Sequence, residues 1–197
     1  MRLFGRRGAR RAFAVLLVLV AGLVASSASP QVRVMQSSAS PQGVKQGVRD
    51  SLAALLPSGN KKADGQVGKA LVHIDASLAS GLWVDGWHLG DGGATVFAEE
   101  RLAVEDLLVI KGPSAGVTAA IAALAGADRQ LAQTALDEAV GGDPKELARA
   151  NGEMAKAAVE LGKGHPNLAI DHYGKVWDHA RKAAAHPAGS QTFTLRT

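Results

Sequence analysis

The sequence predicts an all-α protein, one compact bundle of about six helices, and three observations carry that expectation. Apolar residues recur at helical spacing through most of the chain from Pro41 onward. Alanine, the strongest helix former, supplies 37 of the 197 residues. Proline and glycine then punctuate the pattern at intervals of a helix length, and no convincing strand separates them. Because alanine buries little area, the helices are expected to approach closely over thin side-chain layers. A hydrophobic share of 47% excludes a disordered chain, and the lack of cysteine excludes zinc fingers, iron–sulfur centres, thiol nucleophiles and disulfide scaffolds.

The first residues carry a different message. Arg2, Arg6, Arg7, Arg10 and Arg11 precede an unbroken apolar run from Ala12 to Ala25, and the small residues Ser26, Ser27 and Ala28 follow it. A basic stretch, a short apolar stretch and a small-residue cleavage site describe a secretory signal peptide over residues 1–28, cut after Ala28. As a helix the apolar run spans only about 21 Å, short of the roughly 30 Å hydrocarbon core, so no permanent membrane span is expected after cleavage. Arg10-Arg11 with Phe13 partly matches a twin-arginine signal, while Ala9 and Ala14 depart from its usual flanks. The general secretory route is favoured, and both routes end outside the cytoplasm, in a periplasm or beyond it. Cleavage removes five arginines, which leaves 17 of the 22 basic residues against all 18 acidic ones. The basic balance thus belongs to the export signal, and nucleic acid is not an expected partner.

Residues 29–40 are rich in Ser and Gln and read as a flexible lead-in to a bundle over 41–186. The first helix runs from Pro41 to about Leu56 and stops at Pro57-Ser58-Gly59. The second, about Lys61 to Ser80, sets Val67, Ala70, Ile74 and Leu78 on one stripe. A third, about Ala94 to Lys111, turns Phe97, Val104, Leu107 and Leu108 inward and ends at Gly112-Pro113. The fourth starts at the N-cap Ser114 and reaches Val140, with Gly126 a point where it could kink or split. Asp143-Pro144 with Glu146 three residues after the cap is a capping-box-like start for the fifth, which is expected to bury Leu147, Ala150, Met154, Ala157, Ala158 and Leu161. Pro166 opens the sixth, lined by Ala169, Tyr173, Val176, Trp177, Ala180 and Ala184, and the tail 187–197 reads as flexible.

The longest irregular stretch, Gly81 to Gly93, is the candidate ligand loop. Trp83 and Trp87 could stack on a sugar, Asp85 and Asp91 could offer oxygens to Ca²⁺, and His88 stands between them. The Asp spacing does not match an EF-hand, however, and both indoles could equally plug the end of the bundle. Glu100 and Asp128 fall on otherwise apolar stripes. A di-iron pair would want Glu-x-x-His, which is absent, so Asp128 is read as a helix cap after Gly126 or as a partner of Arg101, Arg129 or an indole N–H. His165, His172, His179 and His186, seven apart, run along one flank of the last helix. Steps of about 10.5 Å prevent two of them from sharing one metal without ligands from another helix, and a weakly charged boundary row is the expectation. No nucleophile elbow, P-loop or dinucleotide fingerprint occurs, so no catalytic residue and no cofactor is assigned.

Three phrases bear a resemblance: LWVDGWHL at 82–89, ADRQLAQTA at 127–135 and AIDHYGKVW at 169–177. Together they resemble an uncharacterised helical module of secreted bacterial proteins, which implies location and fold but no chemistry. Asp143 to Ala184 also resembles one tetratricopeptide-type hairpin without a second copy at a period near 34. The resulting expectation is a secreted, non-enzymatic binding or structural module whose partner is an extracellular protein or surface component. The alternatives are a ligand-binding protein or enzyme using the Trp83 to Asp91 loop, and a His-dependent metal-binding protein.

Overall fold

The computed structural model describes residues 39–186, and the expected signal peptide, most of the lead-in and the tail lie outside the described residues. Six α-helices make up most of the described residues: α1 Pro41–Ala54, α2 Lys61–Ser77, α3 Ala94–Leu108, α4 Ala115–Glu138, α5 Pro144–Gly162 and α6 Pro166–Ala185. Their starts follow local chemistry. Side-chain oxygens of Ser40, Asn60, Ser114 and Asp143 accept from the first free backbone N–H groups of α1, α2, α4 and α5. Proline opens α1, α5 and α6, where its missing N–H costs nothing.

Each helix packs chiefly on the next in the closed order α1, α2, α3, α6, α4 and back to α1, while α5 lies outside against α6. The ring is filled by Leu52, Ile74, Leu107, Leu124, Leu131, Ile170 and Tyr173, all at most 2% exposed. Each such side chain contributes roughly 1.5–3 kcal/mol by leaving water. Small residues set the close approaches. A Cβ on Gly93 would fall 2.6 Å from both Leu89 Cβ and Trp177 Cζ2, so the indole seats directly on this backbone. Phe97 packs beside it with ring centroids 6.2 Å apart.

The structure corrects several sequence expectations. α4 runs through Gly126 without a break, so Asp128 is mid-helix and caps nothing. Leu108 and Leu161 are exposed: Leu107 takes the inward position in the last turn of α3, and Leu161 lies off the narrow buried stripe of Ala150 and Ala157 on α5. Ala158 and Ala184 are exposed as well: α5 touches mainly one neighbour and buries a narrow stripe, and α6 turns Ala183 inward instead. No helix among the described residues is long and apolar enough to cross a membrane.

Candidate functional site

The candidate loop closes one end of the ring between α2 and α3. A short 3-10 turn, Ser80–Leu82, leads into an antiparallel bridge of Trp83 with Leu89, and Val84 N–H donates to His88 C=O at 2.9 Å. Asp85 is the residue this reversal requires: its Oδ1 accepts from the backbone N–H of Trp87 at 2.7 Å and of His88 at 2.9 Å. Those donors, Trp87 first and the His88 ring next, hold the Asp85 carboxyl below the usual aspartate range.

His88 then ties the loop to the far end of α4. Its Nδ1 lies 2.8 Å from Asp85 and its Nε2 lies 2.7 Å from Glu138 Oε1. Both ring nitrogens face carboxylates, which the doubly protonated imidazolium satisfies as donor at each end. Asp85 first and Glu138 second raise the His88 pKa above the ordinary histidine value. With both ring nitrogens donating to carboxylates, His88 ties the loop to α4 as an electrostatic latch.

Beside the latch a cleft of about 180 Å³ is lined by Trp87, His88, Thr134, Glu138, Trp177 and Arg181. Trp87 is 37% exposed there, and the Arg181 guanidinium lies 4.9 Å from the centroid of the Trp177 ring. The cleft offers an indole face, a guanidinium, a hydroxyl and a carboxylate, groups that bind planar or hydrogen-bonding ligands.

The expected loop residues thus divide. Trp87 and His88 line the cleft together. Trp83 is half-buried, and its Nε1–H donates to Ser77 C=O at 2.8 Å, so it plugs the bundle end. Asp91 pairs outside with Arg181 at 2.7 Å, while Asp85 faces His88, so the two aspartates do not present their oxygens to one ion. No group of three metal-donating side chains occurs among the described residues.

Glu100 and Asp128 do meet, at the centre of the ring, and the residue that joins them was not singled out from the sequence. Lys45 of α1 places its Nζ 2.7 Å from Glu100 Oε2 and 2.5 Å from Asp128 Oδ1, with all three side chains fully buried. Asp128 therefore pairs with neither Arg101 nor Arg129. Ser77 closes the cluster, its Oγ 2.9 Å from Glu100 Oε1 and 2.8 Å from Ile74 C=O. Burial first, and then the Glu100 charge, drives the Asp128 carboxyl well above the usual aspartate range. Burial pulls the Lys45 ammonium down, but Asp128 and Glu100 together outweigh it and its pKa is raised. A proton on Asp128 is the state in which the buried ammonium faces a single carboxylate, the balance of charge that a site without water favours. A signal for Lys45 was present: Pro41, Lys45, Val48 and Leu52, all buried, share one stripe of α1.

The histidine row also finds partners. His165, His172 and His179 place Nδ1 at 2.9, 2.6 and 2.7 Å from Glu160, Glu153 and Glu146 of α5. Each Glu also holds a cation three residues on, Lys163, Lys156 and Arg149. The carboxyls of all three are lowered below the ordinary glutamate value, with His179 the first cause at Glu146 and Lys163 at Glu160. At Glu153 burial acts upward and is outweighed by Lys156 and His172. The row is therefore a ladder of histidine–glutamate hydrogen bonds between two helices.

Comparison of the chain with protein-family models, with curated proteins and with solved structures returns no match.

Proposed function

We propose that the protein is a non-catalytic helical module that is exported and that binds or spaces a protein or surface component outside the cytoplasm. The observation that carries the reading is the sealed centre. Glu100, Asp128 and Lys45, a set suited to acid–base work, have no exposed surface, and the Lys45 ammonium lies against both carboxyls. The N-terminal export pattern and the resemblance to secreted helical modules support the location.

A second reading, a ligand-binding protein that uses the loop, is favoured by one observation. Trp87 is exposed in a cleft that also holds His88 and Arg181. Tryptophan fluorescence with iodide quenching, across glycans, peptides and divalent metals, separates the two. The module reading expects quenching confined to Trp87 and unchanged by every small ligand. Protection of Trp87 by one glycan or peptide, abolished in His88→Ala, would give the loop a ligand. Reproducible turnover of any substrate by the purified chain would overturn the non-catalytic reading.

A further inference from the structure

The opposite end of the ring carries a second cleft, larger than the first and different in chemistry. Here the turn from α1 to α2 meets the turn from α3 to α4, and a cleft of about 580 Å³ opens between α2 and the residues after α3. Lys61, Lys62, Lys69 and Lys111 line it. None of the four pairs with a carboxylate among the described residues. Elsewhere on the surface Arg101, Arg149, Lys156, Lys163, Lys175 and Lys182 each hold one, while Arg129 and Lys145 stand singly and apart from any such cluster. The acidic side chain nearest in sequence, Asp64, is engaged by Ser58, whose N–H and Oγ–H it accepts at 2.9 and 2.5 Å. Four uncompensated ammonium groups around one concavity produce a local positive potential in a chain whose balance beyond residue 28 is near neutral.

The cleft also has an apolar extension. A pocket of about 200 Å³ adjoins it and shares Asn60, Ala63, Ile110 and Lys111 with it. Leu55, Leu56, Ile110 and Val117 form its aliphatic wall, and the Asp64 carboxylate, held by Ser58, lines its polar side. Between the two halves the surface passes from ammonium groups to aliphatic side chains within a few residues. In the lysine-lined half, Gln66 Oε1 is buried without a hydrogen-bond partner. An alkyl phosphate carries the negative oxygens the lysines require.

We propose that this end of the bundle binds a monomeric, single-chain anionic amphiphile, with its phosphate-type headgroup among Lys61, Lys62, Lys69 and Lys111 and its alkyl chain against Leu55, Leu56, Ile110 and Val117. Charge selects the head and the adjoining aliphatic walls select the tail. The site is independent of the loop cleft and goes beyond the functional reading above.

Isothermal titration calorimetry of the full chain with hexyl, octyl and decyl phosphate, each below its micelle concentration, tests the assignment. One site per chain is expected, with affinity rising about fourfold per methylene until the apolar pocket is filled. The Lys62→Gln/Lys69→Gln/Lys111→Gln variant is expected to lose about tenfold for each lysine that touches the headgroup. Removing the same charge elsewhere, in Lys145→Gln/Lys156→Gln/Lys163→Gln, is expected to leave binding unchanged. Ile110→Gln should flatten the chain-length series while binding of the shortest ligand persists. Inorganic phosphate binding as tightly as decyl phosphate would reduce the cleft to a plain anion patch and overturn the proposal. Equal binding of decyltrimethylammonium would do so by removing charge selection. Binding seen only with micelles or anionic vesicles would assign the face to adsorption on a lipid surface, and a dimer that decyl phosphate leaves intact would assign it to a second copy.

Discussion

Replacing Lys45 with Met is the sharpest test of how the ring is held together. Met keeps most of the aliphatic length of Lys but carries no charge, so the packing around α1 changes little while Glu100 and Asp128 lose the one cation paired with them among the described residues. A carboxylate left alone in a site with no exposed surface is in a poorer position than one in water. Breaking a buried pair by removing one partner typically costs about 3–5 kcal/mol. Against a total stability of about 5–15 kcal/mol for a domain of this kind, that is a third or more of what keeps the chain folded. Urea denaturation at neutral pH, followed by circular dichroism, measures it as a fall in the midpoint with an unchanged slope. Replacing all three, as Lys45→Met/Glu100→Gln/Asp128→Leu, should restore most or all of the loss, because no charge then remains to be desolvated. A Lys45→Met cost below about 1 kcal/mol would refute the assignment of a buried, ion-paired centre, since exposed pairs are worth that little.

The same cluster fixes the sign of a pH effect. The Asp128 carboxyl is raised in the folded protein, so the folded state binds more protons than the unfolded one between the two values. Its contribution is greatest in acid and declines as pH rises from about the ordinary aspartate value towards the folded one. Asn at position 128 cannot ionise in either state. The stability of Asp128→Asn relative to the parent should therefore improve between pH 4 and pH 7, and a difference that is flat or worsens with pH would contradict the protonated form.

Three further outcomes are expected. Gly93→Ala places a methyl group 2.6 Å from Trp177 Cζ2 and should cost about 1–3 kcal/mol with an altered Trp177 environment, read by thermal melting and near-ultraviolet dichroism. The lowered carboxyls of Glu146, Glu153 and Glu160 stabilise the fold above the unfolded glutamate value near 4.5, and the contribution disappears as pH falls through their folded values. Denaturation midpoints between pH 3 and 6 should accordingly drop less steeply in Glu146→Gln/Glu153→Gln/Glu160→Gln than in the parent. The His88 ring should titrate above 6.5 by NMR and move downward in Glu138→Gln, with no movement counting against the latch between the loop and α4.

Legibility from the sequence tracked the range of the interaction. Helix starts depend on a few consecutive residues, and the caps at Ser114 and Asp143 stand where the residue types place them. Helix interiors depend on periodicity, which found most of the core. The misses were non-local or one-sided. Whether Gly126 breaks α4 is decided by neighbours packed along the helix, and the exposure of Ala158 is decided by α5 having little but α6 to lean on. In the loop, Asp85 and His88 were both visible as polar groups, but the partner that completes their site, Glu138, lies 50 residues beyond His88. The central cluster was two-thirds visible: Glu100 and Asp128 interrupted apolar stripes, and the complementary Lys45 interrupted the stripe of α1 without being joined to them.

The ladder between α5 and α6 shows that a long-range pairing can nevertheless be encoded in simple spacing. Glu146, Glu153 and Glu160 step by seven up one helix, and His179, His172 and His165 step by seven down the other. Two antiparallel helices joined by a tight turn bring residues equidistant from that turn to the same height. A seven-residue repeat returns each to the same face, so one register satisfies all three pairs at once. Sliding either helix by one turn would separate all three pairs at once. The next step outward would set His186 against position 139, which is alanine, and the ladder stops where α4 and α5 are already joined by the Gly141-Gly142 turn. The turn at that point has no room for another pair: a Cβ on Gly142 would collide with the backbone of Ala183. Charge spacing thus sets the register of the hairpin and glycine sets its end, a division of labour that apolar periodicity alone does not reveal.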